Sequence, residues 1–221
     1  MLTPKTLVWQ WRDELKALLD VPSAVWNGKA WVDEHGIDHP VAGPEGIKKC
    51  PRRFGIVSYG LVKRRSPSVE FLKEIKYECV IVDEVHNARR RNLGLNKADE
   101  AADPNHLLAF LHEIAPRTKS MLLGTATPVQ LYPVEAWDLL DVLSTGTDAV
   151  LGNTWSQWRN QRQEALNLVM GLNELPADER ERWQWIRNPF PPATEDKDFL
   201  LLRQSLNLTA DEVVAPGDAW A

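Results

Sequence analysis

Cysteine is scarce in this sequence, and long apolar runs and a positive net charge are missing. Of 221 residues two are cysteines, Cys50 and Cys79, and Cys79 stands in an apolar stretch. That argues against a disulfide framework or a cysteine zinc site and for reduced thiols in an intracellular protein. No apolar run approaches the roughly 18 residues of a membrane span, and Met1-Leu2-Thr3-Pro4-Lys5 does not begin a signal peptide. The expectation is a soluble, cytoplasmic protein with no membrane partner. At a net charge of -5 the average surface does not attract nucleic acid, so any such contact must be a local patch. Zinc hydrolysis is also set aside. His112-Glu113 opens an H-E-x-x-H pattern, but its second histidine position holds Pro116. His35 and His39 are spaced for one helix face, yet Gly36 lies between them and Pro40 follows, which is poor helix material.

What is present centres on Tyr77-Glu78-Cys79-Val80-Ile81-Val82-Asp83-Glu84-Val85-His86. Its apolar run fits a strand buried on both faces of a parallel sheet. Polar residues just past the carboxyl end of such a strand sit where ligands bind in open α/β sheets. Adjacent carboxylates there suit holding Mg²⁺ on a nucleotide and polarising a water. On its own the stretch also fits an ordinary strand followed by a solvated acidic turn. The ten tryptophans scatter along the chain and read as core or interface packing.

Along the chain, Thr3-Pro4 predicts a helix start with Thr3 as N-cap. Leu7, Trp11, Leu15 and Leu18 would form its inner face, to about Leu19. From Val21 to Gly46, short pieces broken by Asn27-Gly28 and Gly43-Pro44 predict a hairpin or decorated loop. Lys48 to Arg65 carries Lys48, Lys49, Arg52, Arg53, Lys63, Arg64 and Arg65 without one acidic residue, around a strand at Phe54–Tyr59. It reads either as a phosphate-backbone surface or as a solvated basic loop. A short helix is expected at Ser68–Ile75. The basic run Arg89-Arg90-Arg91 leads into a polar loop, and Asp103-Pro104 would cap a helix burying Leu107, Phe110, Leu111 and Ile114 and ending at Pro116. Met121-Leu122-Leu123 predicts a third buried strand. The helix after Pro133 should turn Ala136, Leu139, Leu140 and Leu143 inward. Beyond residue 146, helices are expected over Trp155–Leu172, Ala177–Ile186 and Asp198–Leu206, with Asn188–Pro192 as connector and Thr209/Glu212 as a capping box. Strands alternating with helices, then a helical tail, imply an α/β parallel sheet with a helical extension over residues 147–221.

In this order, Asp83-Glu84-Val85-His86 and Gly124-Thr125-Ala126-Thr127-Pro128 resemble motifs II and III of the first RecA-like lobe of superfamily-two helicases. Leu2-Thr3-Pro4-Lys5 through Gln10-Trp11-Arg12-Asp13-Glu14-Leu15 is similar to motif Ia of the Swi/Snf-type branch, and Gly55–Tyr59 to the strand before motif Ib. Gln130 and Glu135–Leu140 match the run after motif III. The resemblance covers roughly residues 1–145 and implies an incomplete RecA-like, P-loop-type sheet over 1–146. It implies ATP hydrolysis coupled to movement on double-stranded DNA, with ATP and Mg²⁺ as cofactors. By that resemblance Asp83 would hold Mg²⁺ and Glu84 would activate water. His86 with Thr125, Ala126 and Thr127 would couple the nucleotide to DNA. Thr3, Lys5 and Gln10 would face the phosphate backbone, with Lys63, Arg64 and Arg65 as further DNA contacts.

The chain departs from that family in one respect above all. No G-x-x-x-x-G-K-[ST] occurs; Gly28-Lys29, its only Gly-Lys pair, is followed by Ala30. Nor does anything after residue 145 look like a second RecA-like sheet with an arginine finger. The expectation is a fragment whose partners include an upstream motif I segment and a second lobe, and which does not hydrolyse ATP alone. The alternative is a non-catalytic DNA- or partner-binding module on a helicase-derived scaffold.

Overall fold

The computed structural model describes residues 1–178, 181–182, 184–185, 197–207 and 209. Its strands are β1 (Leu2–Thr3), β2 (Ser23–Trp26), β3 (Ala30–Asp33), β4 (Asp38–Pro40), β5 (Phe54–Ser58), β6 (Tyr77–Val82) and β7 (Thr118–Leu123). They form one seven-stranded sheet in the order β4-β3-β2-β5-β1-β6-β7. Every pairing is parallel except β2–β3 and β3–β4. The helices of this unit are α1 (Val8–Leu19), α2 (Gly60–Lys63), α3 (Ser68–Lys73), α4 (His106–Ile114) and α5 (Val134–Leu143). The architecture is therefore α/β with a mostly parallel sheet. The chain divides into two compact units. Met1–Asn92 with Ala102–Thr145 form the first; Leu93–Ala101 and the described residues from Gly146 on form the second. Among the described residues no helix is long and apolar enough to cross a membrane.

The opening residues correct the expected helix start. Thr3 belongs to β1, not to a cap: Asp83 N donates to Leu2 O and Tyr59 N to Thr3 O. Both sides of the strand are thus paired, and α1 begins only at Val8, behind an uncapped Leu7. Leu18 is not on the inner face either, at 76% exposure. The helix closes on Asp20 in the left-handed region, and Val21 N reaches back to Leu15 O. Asp20 N also donates to Lys16 O at 3.2 Å, the 5→1 bond of an αL closure. Val21 accordingly packs with Val8, Leu15, Val25 and Ile56.

Strands β6 and β7 are not buried on both faces. Leu2 registers with Val57 and Val82, and this face joins the main core with Val80 and α4. On the other face Cys79 stands opposite Ser120 and Ile81 opposite Leu122. Cys79 and Ser120 are exposed, and Leu122 is 60% exposed. The physical reason is coverage: α1 lays Val8 and Leu15 over Ile56 and Val25, on β5 and β2. The expected third buried strand at Met121–Leu123 is thus half-buried. Both cysteines are free thiols, with Cys50 partly buried.

Helix α4 buries Leu107, Phe110, Leu111 and Ile114 as its spacing predicts, and Leu108 with them. Each such side chain contributes about 1.5–3 kcal/mol on burial. Its cap is Asn105 rather than Asp103: Asn105 Oδ1 accepts from Leu107 N and Leu108 N. Pro104 is instead drawn into an extended bridge with Arg90. In α5 the buried side is set by Val134, Glu135, Trp137, Asp138, Leu139 and Val142, with Leu140 turned outward.

The expected hairpin forms from β2 and β3, with Asn27 Oδ1 accepting from Lys29 N and Ala30 N across a turn in which Gly28 has φ 107°. At its end the Asp33 carboxylate is almost wholly buried. It accepts from His35 N, Ile37 N, His39 Nε2 and Arg52 Nη2 at 2.9–3.0 Å. These bonds, His39 first, hold its pKa down at about 2, from an ordinary 3.8. A lowered carboxylate pKa stabilises the fold above the unfolded value and loses that contribution as pH falls through the folded one. Urea titrations should therefore find Asp33→Asn less stable than wild type at pH 5. The gap should shrink between about pH 4 and 2; an unchanged gap would show the bonds to be ineffective.

In the second unit the helix expected over Trp155–Leu172 is broken at Gln161, whose ψ is 70°. It forms α6 (Gln157–Asn160) and α7 (Arg162–Val169), followed by α8 (Lys197–Ser205). Gln163 N is tied to Asp99 Oδ1 at 2.9 Å. The Asn188–Pro192 connector, Glu212 of the capping box and part of Ala177–Ile186 lie outside the described residues.

Candidate functional site

The carboxyl end of β6 meets the end of β1, and this juxtaposition builds the site. Asp83 is pinned by two donors on one oxygen: Thr3 Oγ1 and Trp11 Nε1 each lie 2.9 Å from Oδ2. Oδ1 takes no hydrogen bond among the described residues and remains for a further ligand. Thr3 is fully buried, so it is withdrawn from the surface and cannot reach a phosphate backbone. Its hydroxyl positions Asp83 instead.

Glu84 follows with φ 50° and ψ 46°, in the left-handed region. For a residue with a Cβ this costs roughly 1–2 kcal/mol, and such strain persists where surrounding contacts over-determine it. The next peptide is anchored by Val85 N to Gly124 O at 3.0 Å, and Val85 is fully buried. The kink keeps Glu84 half-exposed at the strand end, with Oε2 3.1 Å from His86 Nδ1.

His86 links two strand ends. Nδ1 faces Glu84 Oε2 and, at 3.2 Å, Thr125 Oγ1. Nε2 lies 3.3 Å from Asn87 Nδ2, which can only donate. That assigns the ring proton to Nδ1, which donates to Thr125 Oγ1, with Glu84 Oε2 close by. Thr127 N donates to Thr125 Oγ1 at 3.1 Å. Thr127 and Ala126 are themselves exposed. The expected residues of both strand ends thus come together, through Thr125 rather than through all three.

The basic residues separate into distinct environments. Lys63, Arg89, Arg91 and His106 line a cleft of about 350 Å³ with His86, Asn87 and Gln130, and no carboxylate lines it. Burial, then the nearby charge of Arg89, lowers the Lys63 pKa from its ordinary value. Arg89 Nη1 donates to Gln130 Oε1 at 3.0 Å. Arg91 lies 3.4 Å from an exposed Asp103. Arg65, at φ 53°, donates to His106 Nε2 beside the cleft, while Arg64 is exposed and does not line it. Arg90 is turned inward, its side chain fully buried against Asp138. Lys5 and Gln10 are exposed, Gln10 being hydrogen-bonded to Glu14.

Asn87 is the residue that sequence reasoning misses. Its Oδ1 accepts from Lys63 Nζ at 2.9 Å, and its Nδ2 faces Tyr59 Oη, Glu84 O and His86 Nε2 at 3.1–3.3 Å. Only its place beside His86 could have flagged it. Burial and the charges of Glu84 and Asp83 push the Tyr59 phenol above its ordinary pKa. Among the described residues no group of three or more His, Cys, Asp or Glu could hold a metal alone. One carboxylate with a free oxygen does fit Mg²⁺, which is usually held by one or two carboxylates plus substrate phosphates and waters. No family model matches the sequence, and no curated protein matches it either.

Proposed function

We propose that this chain is part of a Swi/Snf-type ATP-dependent DNA translocase, contributing the DExH side of its ATPase centre on a RecA-like sheet. One observation carries the reading. A strained Glu84 at the end of β6 lies 3.1 Å from His86, which is hydrogen-bonded to Thr125 at the end of the neighbouring parallel strand. That is the constellation the resemblance implies, produced by residues far apart in sequence.

In this reading Asp83 holds Mg²⁺·ATP through Oδ1, its other oxygen being occupied by Thr3 and Trp11. Bound magnesium supplies charge neutralisation on the phosphates. Glu84 orients the attacking water, with its backbone kink and His86 limiting where the carboxylate can go. His86 transmits the state of that carboxylate to the Thr125 loop. The cationic cleft favours a partner rich in phosphate, which supports DNA.

Mn²⁺ in place of magnesium gives a direct test, followed by electron paramagnetic resonance in the presence of ATP. The expected result is nucleotide-dependent Mn²⁺ binding, weakened at least about tenfold in Asp83→Asn and retained in Glu84→Gln. Hydrolysis by the purified chain should stay at background, because the sequence supplies no phosphate-gripping G-x-x-x-x-G-K-[ST]. Equal binding by wild type and Asp83→Asn, or none by either, overturns the assignment. Salt-dependent DNA binding without Mn²⁺·ATP binding would favour a non-catalytic module, the reading to which the cleft alone points.

A further inference from the structure

We propose that a slot in the sheet, between the amino ends of β5 and β6, binds the carboxyl-terminal residues of an extended peptide whose carboxylate meets the Met1 ammonium. The slot lies at the end of the strands opposite Asp83 and Glu84, and it stands independently of the ATPase reading.

The strand registers build it. Leu2 pairs with Val57 on one side and with Val82 on the other. Strand β5 starts ahead of that level, at Phe54, and β6 at Tyr77. Both neighbours of β1 therefore run past it, and their edges face each other two strand spacings apart, about 9.6 Å. A cavity of about 450 Å³ fills this gap, lined by both edges and, toward the core, by Trp31, Leu72, Ile75, Phe110 and Ile114.

Backbone alternation fixes which groups open into it. Gly55 O accepts from Met1 N at 2.7 Å, and Asp83 N donates to Leu2 O at 2.8 Å. Alternate residues of a strand address the same neighbour, so Gly55 on β5, and Ile81 and Cys79 on β6, turn their N–H groups toward the slot. Backbone groups at such an edge call for partners. An extended chain supplies donors and acceptors to both edges at once, which is strand addition with two walls.

Charge sets its direction. A segment in line with β1 and parallel to its neighbours brings its carboxyl end to Met1 N. Burial lowers the Met1 ammonium pKa to about 6, from an ordinary 8.0. A facing carboxylate compensates that charge through a charge-assisted hydrogen bond, and its second oxygen accepts from Ile81 N. Side-chain alternation then sets specificity. Leu2 belongs to the main core and Met1 to the cluster on the opposite face, so the last peptide residue faces the core again. Its side chain enters the apolar part of the cavity, beside Leu72 and Phe110. The ligand class is an extended peptide ending in a large apolar residue.

The test is isothermal titration of the 221-residue chain with acetyl-Thr-Val-Thr-Leu, free at its carboxyl end, with amide hydrogen exchange to locate it. Saturable binding is expected, weakened at least about tenfold when the carboxylate is amidated or the last residue is Asp. At saturation the Gly55 and Ile81 amides should exchange at least about tenfold more slowly. Cys79→Pro removes a donor that faces the slot rather than β7, and should weaken binding about three- to tenfold. The peptide changes leave the protein untouched, so they decide the matter even where that variant fails to fold. No binding of the free peptide, equal binding of its amide, or unchanged affinity in a folded Cys79→Pro protein overturns the proposal. So does protection at Met121 and Leu123 in place of Gly55 and Ile81. Gly124 N donates to Val82 O and β7 ends the sheet, so Met121 and Leu123 address its open edge, and the peptide would be extending the sheet there.

Discussion

Asp138→Leu lowers the unfolding free energy by about 3–5 kcal/mol, the cost of removing one partner from a buried ion pair. Arg90 Nε donates to Asp138 Oδ2 at 2.7 Å and Nη2 to Oδ1 at 2.5 Å. The two side chains are 0% and 4% exposed. The segment carrying Arg90 is also clipped to the chain before α4, by Arg91 N to Asp103 O and Asn105 N to Arg89 O. Arg90 thus fixes where its neighbours Arg89 and Arg91 stand, and both line the cleft. Arg90→Met with Asp138→Leu should recover most of the loss, because a well-packed apolar pair of similar volume is often neutral or better. Urea denaturation of the single and double variants checks this. A single variant costing less than about 1 kcal/mol would show the pair to be an ordinary solvated contact.

Asp83→Ala costs about 2–3 kcal/mol before any ligand is considered. Removing the carboxylate takes the acceptor from a fully buried Thr3 hydroxyl and from Trp11 Nε1. Hydrogen bonds to a charged group contribute about 1.5–3 kcal/mol, and a stranded buried donor adds its own penalty. Asp83→Asn keeps an oxygen for those donors and should recover at least half of the loss while, on the proposed function, weakening Mn²⁺·ATP binding at least about tenfold. Thermal or urea unfolding of both variants separates the structural share from the metal-binding share. An Asp83→Ala protein as stable as wild type would mean that β1 and α1 do not pin this carboxylate.

Several elements were legible because local chemistry sets them. Asn27-Gly28 between short alternating runs specifies a hairpin whatever surrounds it, and the spacing of Leu107, Phe110, Leu111 and Ile114 specifies the buried side of α4. Other readings failed because they weighed a residue's local preference against nothing. Thr3-Pro4 has the chemistry of a helix cap, but the neighbours on both sides of β1 pair with its backbone, and strand pairing wins. Asp103-Pro104 lost its cap role when Pro104 paired with Arg90. The inward side of α5 is set partly by Asp138, which only its distant partner draws into the core. An apolar run likewise says that a strand can be buried, not that anything covers it: Cys79 and Leu122 lie open because α1 covers a different part of the sheet.

The sequence by itself determined an α/β chain, the strand ending in Asp83-Glu84-Val85-His86, and the basic character of the residues around it. These rest on periodicity and turn chemistry, which act over a few neighbouring residues. Tertiary structure alone decided that Thr3 and Trp11 hold Asp83, that Arg90 is spent inside while Arg89 and Arg91 face a cleft, and that Asn87 stands between Lys63 and His86. Each of those contacts joins elements that parallel pairing or helix packing brings together from distant positions, and hydrogen bonds and ion pairs act only once the fold has closed that distance.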